Sequence, residues 1–143
     1  HTPVDTPAKI EPHRHLKILI NDISVPQAGL VHAQAEHIEE ILRYARDWDH
    51  VGPLVIHCWA GISRSTATAF VTLCALNEDG VEHAIARSIR RASSTATPNP
   101  LMVQIADDLL GRRGRMVDAI KAIGPGETAL SGTPFSIPSR FRR

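Results

Sequence analysis

Residues 54–76, LVIHCWAGISRSTATAFVTLCAL, constrain the fold more than any other part of the chain. The apolar, partly β-branched run Leu54–Cys58 reads as a buried strand. A short loop with one glycine follows, and from Arg64 the residues are apolar or small on almost every side. A helix of that kind has no face to give to water, so it belongs at the centre and the other elements must pack around it. With 43% hydrophobic but only 4% aromatic residues, the core must be built mainly from Leu, Ile, Val and Ala.

Other elements follow from periodicity. Leu16–Ile20, LKILI, reads as a second short buried strand, ending in the loop signals of NDISVPQAGLV. From Ala33 to Trp48 the residues Ile38, Ile41, Leu42, Ala45 and Trp48 share one helical face. Further helices are expected over Val81–Ala92, Leu101–Leu110 and Arg115–Ile123, with loops at SSTATPNP and over residues 1–15. Residues 124–143, rich in Gly, Pro and Ser, form a docked or frayed tail. Strand, helix and strand in that order make a crossover unit, and the expected fold class is α/β: a mostly parallel central sheet flanked by helices. Two strands are too few for an open sheet. We therefore expect residues 1–143 to be one domain in which something further pairs with these strands.

The net charge of +1 excludes broad affinity for nucleic acid or membrane surfaces. Basic clusters at Arg87–Arg91, Arg112–Arg115 and Arg140–Arg143 read as solvated surface. There are two cysteines, too few for a disulfide scaffold, and neither a membrane span nor a signal-peptide pattern is visible. A cytoplasmic location is expected.

The loop HCWAGISRS, residues 57–65, carries the chemistry. The first amides of the helix that begins near Arg64 lack internal partners, and the helix dipole makes that end positive. The amides of Trp59, Ala60, Gly61, Ile62, Ser63 and Arg64 curl into an anion-binding nest, with Gly61 supplying the turn. The Arg64 guanidinium adds a planar fork for phosphate oxygens. A thiol at Cys58 beneath such a nest is acidified and becomes a nucleophile. The Ser65 hydroxyl can hydrogen-bond the sulfur and ease its later departure. Cys74, on the same helix about 15 Å away, is too far for a disulfide and reads as core packing.

This segment resembles the His-Cys-(five residues)-Arg-Ser/Thr signature of the cysteine-dependent protein tyrosine phosphatases. With a glycine three residues after the cysteine and a short chain, it is most similar to the small dual-specificity-like branch. The resemblance implies Cys58 as nucleophile, Arg64 as phosphate clamp and Ser65 as leaving-group aid. It further implies that His57 tunes the cysteine through the loop backbone. It places the general acid on a loop after the preceding strand, where Asp22 stands; a nearby phosphate dianion would raise the pKa of such a carboxyl. Asp47 and Asp49 are rivals at the far edge of the expected sheet. Asn99 and Gln104 resemble a position that steadies the loop, and the resemblance further implies an N-terminal segment with additional strands that residues 1–143 lack.

The implied function is hydrolysis of phosphate monoesters through a cysteinyl-phosphate, acting on phosphotyrosine and also on phosphoserine or phosphothreonine in proteins. No cofactor or metal is required; His32 and His37 have poor spacing for a shared site. The implied partners are a phosphorylated protein or a small phosphate ester, with phosphate or sulfate held in the loop. An inositol-lipid phosphatase is an alternative, made less favourable by the lack of Lys or Arg at residues 59–63. A rhodanese-like sulfurtransferase is another, since it also uses a cysteine in an amide-lined loop.

Overall fold

A computed structural model describes residues 4–143. It contains five α-helices: α1 (Ala35–Arg46), α2 (Arg64–Leu76), α3 (Glu82–Ala92), α4 (Pro100–Leu110) and α5 (Arg115–Ile123), preceded by a short 3-10 turn at Pro12–Arg14. The expected α/β fold is not what forms: among the described residues there is no strand and no sheet. Leu16–Ile20 and Leu54–Cys58 keep the alternating burial of strands, with Leu19 and Val55 facing out at 55% and 78% exposure. Neither makes a hydrogen-bonded ladder. Two five-residue segments are short for pairing; Leu16, Ile18 and Ile20 of the first pack on the core, while Leu54 and Ile56 of the second are half-buried along a groove.

Helix α2 is central, as its all-round apolar surface requires. It packs against α1, α3 and α4. Phe70, Val71 and Cys74 are fully buried on it, against Ile38, Ile85, Ile89, Met102 and Met116 from the other helices. Burial pushes the Cys74 thiol well above the ordinary range, as suits a packing residue.

The helix ends are set by polar side chains. At the start of α1 the Gln34 amide donates to His37 Nδ1 at 3.0 Å, and the Gln34 side chain accepts a bond from the first turn in return. Helix α1 stops at Arg46; Trp48 lies beyond it, its ring 4.0 Å from that of His50. Asn99 caps α4, accepting from the Met102 amide at 3.1 Å. The buried carboxylate of Asp107 accepts from the amides of Gly114 and Met116, both at 2.8 Å, and so fixes the start of α5.

The basic clusters are less superficial than charge counting implies. Arg112 is buried, donating to Glu82 at 2.6 Å and to the carbonyls of Cys74 and Asn77 at the end of α2. Arg90 donates to the carbonyls of Ser93, Ser94 and Ala96 and, at 2.7 Å, to Gly124, clamping the loop between α3 and α4 to the end of α5. These arginines satisfy helix-end and loop carbonyls that a small all-helical protein must pair with something.

Residues 125–143 form an irregular strap over the helices, with Phe135, Ile137 and Phe141 packed on the core. Between the strap, α2 and residues 52–57 runs a groove of about 680 Å³, lined by Leu54, Ile56, Leu73, Leu76, Phe135 and Ile137 and bordering the cysteine loop at Gly61 and Ser65. No helix among the described residues is long and apolar enough to cross a membrane.

Replacing Arg112 by Leu removes the closest cation from buried Glu82, leaving it the Gly80 amide and Arg115 at 3.4 Å. Thermal or urea unfolding should show a loss of about 3–5 kcal/mol. Removing Arg14 from its exposed pair with Asp49 should leave the transition nearly unmoved.

Candidate active site around Cys58

Residues 57–63 link an irregular segment to the first turn of α2. Gly61 takes φ +72°, a left-handed conformation. A Cβ there would meet nothing within 4 Å. The conformation itself, rather than space, demands glycine.

Three loop carbonyls, those of Ala60, Ile62 and Ser63, point outward to donors beyond the loop. Ala60 O accepts from the Gly132 amide at 2.7 Å. Ile62 O accepts from the Thr97 amide at 2.9 Å and from Thr66 Oγ1 at 2.6 Å. Ser63 O accepts from the Ala67 amide at 3.0 Å and the Asn99 amide at 3.2 Å. In a planar trans peptide the N–H lies opposite the C=O. Tying three carbonyls outward therefore turns the amides of Gly61, Ser63 and Arg64 inward.

Cys58 sits inside this ring, half-buried, with its sulfur 3.2 Å from Ser65 Oγ. Burial pushes its pKa up. The Ser65 hydroxyl and the amides of Ser65, Gly61 and Ile62 push it down by more, so the thiol is more acidic than a free one. Ser63, the residue that caps α2, makes no side-chain cap; its hydroxyl donates to Asp22 Oδ1 at 2.6 Å. The positive end of α2 is thus not closed by its own capping side chain.

Asp22 is exposed and stands at the rim of the loop. Asn99, 3% exposed, holds it there: Nδ2 donates to Asp22 Oδ1 at 2.9 Å and to the Ile23 carbonyl at 3.1 Å. One residue thus joins the helix α4 cap, the Asp22 loop and, through its own amide, the cysteine loop. The neck of the Asp22 loop is closed by a reciprocal pair, the Asn21 amide on Val31 O at 2.7 Å and the Val31 amide on Asn21 Oδ1 at 2.8 Å. Arg64 donates from Nη1 to the Ile20 carbonyl at 2.8 Å, which ties its guanidinium to the chain just before Asp22.

The structure therefore brings together Cys58, Arg64, Ser65, Asp22 and Asn99 with loop residues 59–63. It does not join His57 to them. Its side chain is exposed and makes no hydrogen bond to the loop among the described residues, because the alternation that half-buries Ile56 and Cys58 turns residue 57 outward. Trp59 is 87% exposed at the rim. Gln104 is exposed and bonds Asp108 on its own helix at 3.3 Å, and Asp49 pairs with Arg14 at a different place on the surface. Sequence reasoning missed Thr97, Thr66 and Gly132 as carbonyl anchors. A TxTPNP stretch with a hydroxyl-rich run gives only a loop signal, and a tail glycine gives none.

Compared with protein-family models, with curated proteins and with solved structures, the chain finds no match in any of the three.

Alkylation of Cys58 by iodoacetamide should rise with pH and level off with an inflection below that of a simple free thiol. Ser65→Ala should move the inflection upward, because it removes a donor that favours the thiolate.

Proposed function

We propose that this protein hydrolyses phosphate monoesters, phosphotyrosine in proteins foremost, through a phosphorylated Cys58. The observation that carries the reading is the Cys58 sulfur 3.2 Å from Ser65 Oγ at a helix N-terminus whose capping serine is turned aside to the candidate acid. Substrate phosphate lies in the ring of amides, its charge met by the dipole of α2 and by the Arg64 guanidinium. The Cys58 thiolate attacks phosphorus. A sulfur–phosphorus bond forms, the bond to the ester oxygen breaks, and Asp22, protonated, gives its proton to that oxygen. Water then attacks phosphorus and gives a proton to the Asp22 carboxylate. The sulfur–phosphorus bond breaks, and the returning thiolate is received by the Ser65 hydroxyl.

Asp22 serves both half-reactions, and Asn99 with Ser63 keeps it at the rim between them. The loop's lack of lysine and arginine apart from Arg64 favours a substrate with one phosphate over a polyphosphorylated ring. The site's exposure suits a side chain presented on a protein surface.

Release of nitrophenol from p-nitrophenyl phosphate should proceed in the presence of EDTA and vanish in Cys58→Ser. Asp22→Asn should lower kcat by about 10²–10⁴. Activity surviving in Cys58→Ser, or sulfur transfer from thiosulfate without phosphate release, would end this reading.

A further inference from the structure

The C-terminal strap approaches the cysteine loop closely at Gly132. The Gly132 amide donates to the Ala60 carbonyl at 2.7 Å. A Cβ at residue 132 would lie 2.6 Å from the Gly61 carbonyl oxygen and 3.3 Å from its carbon, contacts that no ordinary side chain tolerates. Gly126 makes the same kind of approach to Thr95, where a Cβ would lie 2.5 Å from the carbonyl carbon. The strap is secured on both sides of residue 132. Before it, the Glu127 amide donates to Ser94 O at 2.9 Å; after it, the Phe141 amide donates to Asn77 Oδ1 at 2.8 Å and Arg143 pairs with Asp79 at 2.8 Å. The anchor for the Ala60 carbonyl thus comes from far along the chain, whereas those for Ile62 and Ser63 come from α2 and the Thr97–Asn99 stretch beside it.

We propose that Gly132 is a positioning residue: docking of the strap fixes the Ala60–Gly61 peptide plane and so turns the Gly61 N–H into the anion site beside Cys58. The inference rests on reading the loop as a holder of thiolate and phosphate. The coupling is reciprocal, so an anion bound in the loop must tighten the strap. Residues 125–143 have no helix of their own, so the strap is held by these separate contacts, and losing them frees the Ala60 carbonyl.

Two measurements test this. In Gly132→Ala and Gly132→Pro, thiolate absorbance against pH, with the matching Cys58→Ser protein as blank, should show Cys58 titrating at higher pH than in the parent. Binding of inorganic phosphate, followed by calorimetry, should weaken about tenfold, a change of 1.4 kcal/mol. In the unmodified protein, which removes any question of misfolding, amide exchange at Gly132 should slow on saturation with phosphate by more than exchange at Phe141 does. Folded Gly132 variants with an unchanged Cys58 titration and phosphate affinity would overturn the proposal, as would equal slowing at the two amides. Neither readout needs turnover. A protein that passes both tests yet hydrolyses no ester would retain the strap's role and lose the phosphatase reading; an active Gly132→Ala enzyme with an unmoved titration would do the reverse.

Discussion

Everything that distinguishes residues 57–65 from an ordinary loop depends on where its carbonyls go. Ala60, Ile62 and Ser63 each give their oxygen to a donor outside the bowl, and the amides on the other side of those peptide planes face inward as a result. Ser65, at the start of α2, does most to lower the Cys58 pKa, and the Gly61 and Ile62 amides of the loop add to it. With the carbonyls so anchored, backbone dipoles that cost no reorganisation when an anion arrives already surround the sulfur. Most of the remaining architecture serves this arrangement. Arg90 clamps the loop from which Thr97 reaches Ile62, Asn99 starts α4 while holding both Ser63 and the Asp22 loop, and α2 supplies the positive pole.

The juxtaposition of side chains around Cys58 was partly legible in the sequence, because several of those residues lie close together in the chain. HCWAGISRS states its glycine, its arginine and its serine within one turn of loop and helix. The proximity of Cys58 and Ser65 follows from that spacing alone. Asp22 and Asn99 were legible as candidates by resemblance, and their mutual hydrogen bond gives that placement a physical form. The helices were legible too, since Ile38, Ile41 and Leu42 or Ile85 and Ile89 repeat at helical spacing and lie buried where that spacing puts them.

The sheet was not a sound expectation. LKILI and LVIHC have the composition and the alternating burial of strands, but a strand is defined by its partner, and pairing is a long-range property that composition does not encode. The same limit explains the other misses. Arg90 and Arg112 look like surface charge in a local window; only the folded chain brings the carbonyls of Gly124 and Cys74 within reach of them. Gly132 looks like tail flexibility until the backbone of Gly61 is seen lying against it.

The central claim is that Cys58 takes a phosphoryl group. Rapid acid quenching of the Asp22→Ala protein with an aryl phosphate, followed by peptide mass spectrometry, tests it most directly. The account expects a phosphate adduct on the peptide carrying Cys58, absent when Cys58 is replaced by Ser. Ester cleavage with no adduct on that peptide, or an adduct on any other residue, would contradict it.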